Sequence, residues 1–228
     1  MIKHLLFDNK VEVGISEIND GSMRFFGEGD EGEIIGNQNK LSGVIGLNGE
    51  RVARVRTIYD GRDTFTDYGE VTDGNLSEYS INNPEERIPI SDGLVTRFSE
   101  VGLLLPLADC VGAVVFDERQ GIVGLLHSGR QNLEQYGSRK FIEYLVRNFG
   151  AKPEELKIYF SPYAVNYPIF KLGNKSMSES VVGQLMSAGV LLENIFDSKI
   201  DTVSDERFPS RSGGELRRRF AIVVKKVS

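Results

Sequence analysis

The chain has 228 residues, 40% of them apolar and 26% charged, with a net charge of −6 at pH 7. The composition predicts a single globular domain over residues 1–228, since no linker divides the sequence. The acidic balance argues against a nucleic-acid partner. The first residues turn polar at Asp8, and no apolar run approaches the roughly 18 residues of a membrane span, so neither secretion nor a membrane partner is expected. A single cysteine excludes an internal disulfide and is typical of a cytoplasmic protein.

The patterns of the first third of the chain predict a hairpin, a helix and a strand. The hairpin turns at Asp8-Asn9, and the helix has Ile34, Leu41 and Ile45 at helical spacing and ends near Gly46. Residues 51–59 alternate as a strand. Residues 62–89 are polar and weakly patterned, which predicts a long loop or lid.

The second half of the chain is more regular. A helix is predicted from Ser138 to Gly150, with Phe141, Leu145 and Phe149 recurring every four residues. The other predicted elements are a strand over 156–162, a helix over 178–190 and a closing strand over 219–227. Strands outnumber helices and hairpins occur among them. We therefore expect an α+β domain with a central mixed, largely antiparallel sheet and flanking helices.

Residues 106–129, PLADCVGAVVFDERQGIVGLLHSG, hold the only cysteine, Cys110, and one of the two histidines, His127. Two apolar runs flank the polar residues DERQG, which predicts a hairpin. If this hairpin is symmetric about Glu118-Arg119, Cys110 directly opposes His127. Opposed side chains share a face with Cβ atoms roughly 4.5–5.5 Å apart, close enough to pair or to hold one metal ion.

Three interpretations of this pair remain open. Cys110 and His127 are ligands of a divalent metal such as zinc, which needs a third protein ligand for catalysis. Alternatively, His127 activates Cys110 as a nucleophile, and the thiolate then persists below the ordinary cysteine pKa of about 8.5. Asp109 falls on the opposite face of the strand, so it is poorly placed to orient His127. In the third interpretation both residues are structural.

The one basic cluster is RSGGELRRRF at residues 211–220. Such a run is either a solvated strand end or an anion-binding segment.

Residues 107–117 and 124–129 resemble the laccase-domain proteins, with their A-D-C strand followed by H-A-G-W-R. This family is also called the multicopper polyphenol oxidoreductases and, more recently, the purine nucleoside phosphorylases of the peptidoglycan-editing-factor type. Further stretches that resemble the family in the same order are residues 36–47, 91–96 and 208–221.

The resemblance implies a fold with a central mixed sheet, shared with a bacterial deamidating-toxin domain that uses a Cys–His pair. It also implies phosphorolysis of adenosine, inosine and methylthioadenosine, and deamination of adenosine, so the expected partners are a purine nucleoside and phosphate. Arg211 and Arg219 match the family stretch at residues 208–221. They are the candidate phosphate contacts, because arginine forks suit phosphate oxygens. The family metal site is His–Cys–His, which implies zinc or copper as cofactor. True multicopper oxidases need many histidines, and two are too few.

The sequence also departs from the family. The family's Q-V-H-G histidine aligns with Tyr59 in TIYDG, its H-A-G-W-R-G reads HSGRQN here, the proline after A-D-C is Gly112, and the later cysteine pair is absent from residues 161–167. The resemblance therefore implies a metal site of Cys110, His127 and Tyr59. Because phenol is an uncommon zinc ligand, we expect weak metal binding and low nucleoside activity.

The leading hypothesis is a purine nucleoside phosphorylase or adenosine deaminase that uses Cys110 and His127. The alternatives are a metal-free cysteine-dependent hydrolase or amidase, and a catalytically inactive binding module.

Overall fold

Two β-sheets packed face to face occupy the centre of the protein, in a computed structural model that describes residues 1–24 and 30–227. The strands are β1 (Ile2–Leu6), β2 (Val11–Ile15), β3 (Val52–Arg54), β4 (Tyr68–Val71), β5 (Gly93–Thr96), β6 (Gly102–Leu107), β7 (Val111–Asp117), β8 (Ile122–Ser128), β9 (Lys157–Phe160), β10 (Pro168–Ile169), β11 (Lys175–Ser176), β12 (Ile195–Asp197) and β13 (Phe220–Lys226). The helices are α1 (Glu31–Val44), α2 (Leu76–Tyr79), α3 (Arg130–Glu134), α4 (Gly137–Phe149) and α5 (Met177–Ser187).

The strands of both sheets run mostly antiparallel. One sheet has the order β1-β2-β13-β6-β3 and the other the order β12-β9-β7-β8-β5-β4, while β10 and β11 pair separately. Parallel pairs occur between β3 and β6, β4 and β5, and β9 and β12. The predicted α+β class, with mixed and largely antiparallel pairing, is confirmed. The division of the strands between two sheets was not part of the prediction.

Apolar side chains divide the molecule into four layers. Leu105 and Ile222 of the five-stranded sheet meet Val114 and Leu125 of the six-stranded sheet in the central core. The outer face of the six-stranded sheet packs against α3, α4 and α5. The outer face of the five-stranded sheet packs against Leu41 and its neighbours on α1. Each sheet is therefore covered on both faces, which explains why β6, β7 and β8 are buried along their whole length.

The predicted helix after Ser138 is confirmed, with Phe141, Leu145 and Phe149 buried on one face of α4. It ends where Gly150 takes the left-handed conformation and its N–H bonds back to the last turn. The helix α5 begins at a capping box between Ser176 and Glu179.

Two predicted segments differ from the structure. The strand predicted over 51–59 is only β3, because its parallel pairing with β6 ends at Arg54. Beyond that point the chain leaves the sheet and carries Tyr59 towards the end of the β7–β8 pair. The loop predicted over 62–89 contains β4 and α2.

Within residues 1–24 and 30–227, no helix combines the length and the apolar character needed to cross a membrane.

Phe141 tests the packing of α4 on the six-stranded sheet. Its ring is fully buried and touches the backbone at Gly93 and Gly124, where a methyl group would collide with it. Phe141→Ala should lower the free energy of unfolding by about 3–5 kcal/mol. Phe170→Ala, at a ring that is 70% exposed, is the matched control and should change it by less than about 0.5 kcal/mol. Equal effects in urea unfolding would contradict this packing.

Candidate functional site

Tyr59, Cys110 and His127 lie together at one end of the β7–β8 pair. The hydroxyl of Tyr59 is 3.3 Å from Nε2 of His127, and the two rings meet edge to face. The side chains of Cys110 and His127 both lie against Gly129. The structure thus brings together the three residues that the sequence proposes as metal ligands.

The predicted direct opposition of Cys110 and His127 is wrong by two residues. Gly112 is the residue that pairs with His127, and the loop comprises residues 118–121. The longer loop follows from Gly121, which closes it at a φ of 63°. A shift of two residues preserves the face of the sheet. Cys110 and His127 therefore still lie on the same side, as diagonal rather than direct neighbours.

Gly129 leaves the space in which the thiol and the imidazole meet. A Cβ at this position would lie 2.8 Å from Sγ of Cys110 and 2.7 Å from Cε1 of His127. Both distances are shorter than those of real Cβ contacts, so a side chain at residue 129 would push these groups apart. The glycine of the HSG stretch is thus required by the close approach of the two reactive side chains.

In the metal-free site the three side chains keep neutral forms near pH 7. Burial raises the pKa of the Cys110 thiol to about 11, and the Asp109 carboxylate adds to the rise. Burial lowers the pKa of His127 to about 3, with nearby guanidinium groups acting in the same direction. Burial also raises the pKa of the Tyr59 hydroxyl. A thiolate–imidazolium pair is therefore not the state of the metal-free site.

Asp92 holds the Tyr59 loop against β8. Its carboxylate accepts hydrogen bonds from the Arg62 guanidinium at 2.7 Å and from the backbone N–H of Asp67 at 3.1 Å. Its backbone carbonyl accepts from the N–H of His127 at 2.8 Å. Burial raises the pKa of Asp92, and the ion pair with Arg62 opposes that rise. One buried residue therefore joins the loop that carries Tyr59 to the strand that carries His127.

Arg219 and Arg24 lie side by side near this cluster. The N–H of Met23 donates to the carbonyl of Arg219 at 2.9 Å, and the N–H of Arg219 donates to the Ser22 hydroxyl at 3.3 Å. The Arg24 guanidinium donates to the carbonyl of Thr57, two residues before Tyr59 in the chain, at 2.5 Å. Burial lowers the pKa of Arg219, and the positive charge of Arg24 lowers it further.

Arg211 is exposed, and its charge also lowers the pKa of Arg219. The backbone N–H of the next residue, Ser212, donates to the Asp109 carboxylate at 2.7 Å, which places the Arg211 backbone near Cys110. Arg24 is the residue that sequence reasoning missed. No spacing marks it, and the hydrogen bonds of its neighbours Ser22 and Met23 with the backbone of Arg219 bring it to the site.

The donor atoms do not fit a group of copper ions. The whole chain has one cysteine and two histidines, and the part of the chain that the structure describes contains no group of three His, Cys, Asp or Glu residues able to hold an ion. A single ion has Cys110, His127 and the Tyr59 hydroxyl as donors. Nε2 is the nitrogen of His127 that faces Tyr59, so it is the ring atom placed to bind such an ion, while Nδ1 is buried without a hydrogen-bond partner.

A family model described as multi-copper polyphenol oxidoreductase laccase matches residues 25–182. A purine nucleoside phosphorylase of Mycobacterium tuberculosis is 25% identical over 133 residues, which are 58% of this chain and 47% of that protein. One of Bacteroides thetaiotaomicron is 26% identical over 149 residues, 64% of this chain and 52% of that protein. The matches thus span about half the length of these relatives.

Two solved structures share the fold. YlmD from Geobacillus stearothermophilus superposes with a TM-score of 0.84 at 17% identity, covering 96% of this chain and 93% of that chain. The Bacillus licheniformis hypothetical protein YfiH superposes with a TM-score of 0.80 at 18% identity, covering 95% and 93%. These likenesses show that the chain shares the fold of both proteins.

The lowered pKa of His127 predicts acid destabilisation. Because the folded-state pKa of about 3 lies below the unfolded value of about 6.5, the neutral imidazole contributes stability above pH 6.5. This stability is lost as the pH falls towards 3. In the presence of chelator, the free energy of unfolding of the parent should fall by on the order of a few kcal/mol between pH 7 and pH 4. His127→Gln should remove this fall. His4→Gln, at the exposed histidine, should leave the dependence unchanged. Identical profiles for His127→Gln and the parent in urea unfolding would contradict the burial of a neutral ring.

The raised pKa of Cys110 predicts slow alkylation at neutral pH. With chelator present, the rate of alkylation by iodoacetamide should rise with pH. Its midpoint should lie well above the ordinary cysteine value of about 8.5, near the pKa of about 11. The control is the same titration in urea, where the thiol should return to the ordinary midpoint. A folded-state midpoint at or below 8.5 would show that the protein stabilises the thiolate.

Proposed function

The chain belongs to the multi-copper polyphenol oxidoreductase laccase family, and on this premise we propose that it cleaves purine nucleosides with phosphate. The curated relatives that match part of the chain are purine nucleoside phosphorylases. The observation that carries the proposal is the meeting of Tyr59, Cys110 and His127 beside the guanidinium groups of Arg24 and Arg219.

Phosphorolysis joins a phosphate oxygen to C1′ of the ribose and breaks the bond between C1′ and the purine nitrogen. The purine leaves with the electron pair of that bond and takes up a proton. The reaction therefore needs a cationic site for phosphate and a proton donor near the base. Arg219, Arg24 and Arg211 supply the positive charge, because guanidinium groups bind phosphate oxygens in a forked geometry.

The neutral side chains supply the proton and the hydrogen bonds. Burial keeps the proton on the Cys110 thiol and on the Tyr59 hydroxyl at pH 7, so either can donate towards the departing purine. The neutral ring of His127 accepts or donates one hydrogen bond at Nε2, depending on its tautomer. Asp92 keeps these groups in place through Arg62 and the His127 backbone.

Cys110 and His127, with Tyr59 as a third donor, would hold one zinc or copper ion. Such an ion supplies Lewis acidity and an acidified water, the chemistry that deamination of adenosine requires. Binding needs the thiol to lose its proton, and burial raises the pKa of Cys110. Tyr59 likewise keeps its proton more firmly than a phenol in water. We therefore expect weak metal binding and low deaminase activity.

The neutral pair disfavours a metal-free cysteine hydrolase, whose nucleophile is a thiolate. A catalytically inactive binding module is the remaining alternative. It predicts that nucleosides bind and are not consumed. Formation of ribose 1-phosphate from inosine and phosphate would therefore exclude this alternative.

Tyr59→His tests both the metal site and the reaction. An imidazole at residue 59 gives three nitrogen and sulfur donors, which suit zinc. We expect metal content to approach one ion per chain, and inosine phosphorolysis and adenosine deamination to rise by more than about tenfold, the scale at which metal-site changes act. The measurements are metal analysis by plasma mass spectrometry and nucleoside turnover with and without phosphate.

Tyr59→Phe is the matched control, since it removes the hydroxyl and supplies no ligand. It should bind no more metal than the parent. If the parent already carries a full metal complement and Tyr59→His changes neither metal content nor turnover, the assignment of Tyr59 to the third ligand position is wrong. Turnover that is absent from both proteins would favour the binding module.

A further inference from the structure

We propose that Asp109 is a positioning residue that ties the arginine-bearing segment 208–219 to the strand end that carries Cys110, and thereby sets the affinity for phosphate. The phosphate part of this inference rests on the proposed function. The tie itself rests on contacts between Asp109 and two distant parts of the chain.

The carboxylate of Asp109 is shared between two donors. Oδ2 accepts from the backbone N–H of Ser212 at 2.7 Å, and Oδ1 accepts from the hydroxyl of Thr202 at 2.9 Å. The backbone carbonyl of Asp109 accepts from the N–H of Ala164 at 2.8 Å. Asp109 is 6% exposed, so these bonds form with little competition from water. Residues 164, 202 and 212 therefore all depend on one side chain and its own backbone.

The backbone conformation of Asp109 explains how adjacent side chains, those of Asp109 and Cys110, reach different parts of the protein. Its φ is 69°, in the left-handed region that non-glycine residues other than Asn and Asp seldom adopt. This turn sends the carboxylate to Thr202 and Ser212 while the next side chain, Cys110, lies beside Gly129. The opposite-face prediction assumed a strand at Asp109, whereas β7 begins at Val111, and the Asp109 carboxylate bonds to Thr202 and Ser212 rather than to His127. Asp109 instead positions the segment around Arg211, through the bond from the Ser212 N–H.

The segment that Asp109 grips is a tight turn around Arg211. The N–H of Gly213 donates to the Ser210 hydroxyl at 2.9 Å, and the N–H of Glu215 donates to the Ser210 carbonyl at 2.8 Å. Ser212 follows Arg211 directly, so the bond at its N–H fixes where the Arg211 backbone lies relative to Cys110. An exposed arginine on an untied loop would lose more conformational entropy when it binds an anion.

The bonds that the Asp109 carboxylate accepts are charge-assisted, a class stronger than bonds between neutral groups. Asp109→Asn preserves the backbone, because Asn tolerates the left-handed region. It replaces one acceptor oxygen by an NH₂ group that cannot accept from the donors facing it. The variant is therefore expected to fold and to release one of the two ties.

The experiment is calorimetric titration of the full chain with orthophosphate. Asp109→Asn should weaken phosphate binding on the order of tenfold, the scale of one charge-assisted bond. Adding Arg211→Gln to Asp109→Asn should weaken phosphate binding little further, because both substitutions act on the contact between Arg211 and phosphate. In turnover, KM for phosphate should rise while kcat and KM for inosine stay near the parent values.

A second pair of variants protects the test against misfolding. Thr202→Val removes the hydroxyl that donates to Asp109 and should also weaken phosphate binding. Thr202→Ser keeps a hydroxyl and should bind phosphate as the parent does. The proposal would be overturned if Asp109→Asn bound phosphate as tightly as the parent. It would also be overturned if the effects of Asp109→Asn and Arg211→Gln on phosphate affinity were independent.

Failure of the proposed function gives a different result. If the parent binds no phosphate, phosphorolysis fails, and hydrogen exchange at the Ser212 amide decides whether the tie exists. Faster exchange there in Asp109→Asn, with the α4 amides unchanged, supports the tie. Unchanged exchange at Ser212 rejects it.

Discussion

Strands β7 and β8 pair in the middle of the six-stranded sheet, and both faces of this pair are buried along its full length. One face meets the five-stranded sheet and the other meets α3, α4 and α5. Because one residue of slip would exchange the two faces, the packing of both layers depends on this register. The same register sets the diagonal placement of Cys110 and His127 and the position of Gly129 beside them. The candidate site is thus a consequence of the central pairing rather than an addition to it.

The electrostatic character of the site follows from that burial. Cys110 and His127 are neutral without a ligand because charging either group in a buried position is costly. Arginines are arranged around them, and the positive charges of Arg24 and Arg62 further disfavour an imidazolium. Carboxylates hold two of these arginines in place: Arg24 pairs with Glu85, and Arg62 pairs with Asp67 and Asp92. In the proposed function, these guanidinium groups bind phosphate while the neutral centre keeps its protons.

The local structure was largely predictable from sequence. The apolar period of Phe141, Leu145 and Phe149 and the stop at Gly150 located α4, and the two apolar runs around DERQG located the hairpin. The register was not predictable, because loop length and the positive φ of Gly121 decide it and the sequence allows more than one loop. The division of strands into two sheets depends on contacts between distant segments, which periodicity does not report.

The site shows the same division between what is local and what is distant. Cys110 and His127 lie in one hairpin, so their shared side followed from a period of two. Tyr59 came from the family resemblance, and the structure places its hydroxyl at His127. Arg24 and the carboxylate contacts of Asp109 depend on segments more than 90 residues away in the chain. No local pattern could have indicated them.

The position of residue 59 is set by contacts that do not involve its hydroxyl. Phe65, which stacks on the Tyr59 ring, has its N–H and carbonyl bonded to the side chains of Gln135 and Asn132. Arg62 adds the ion pair to Asp92. These bonds anchor the loop to α3 and to β5 whichever side chain occupies residue 59. An exchange of imidazole for phenol at this position therefore changes the donor atom offered to the site and leaves the loop in place. The chain can keep the architecture of its family while the chemistry at its centre changes.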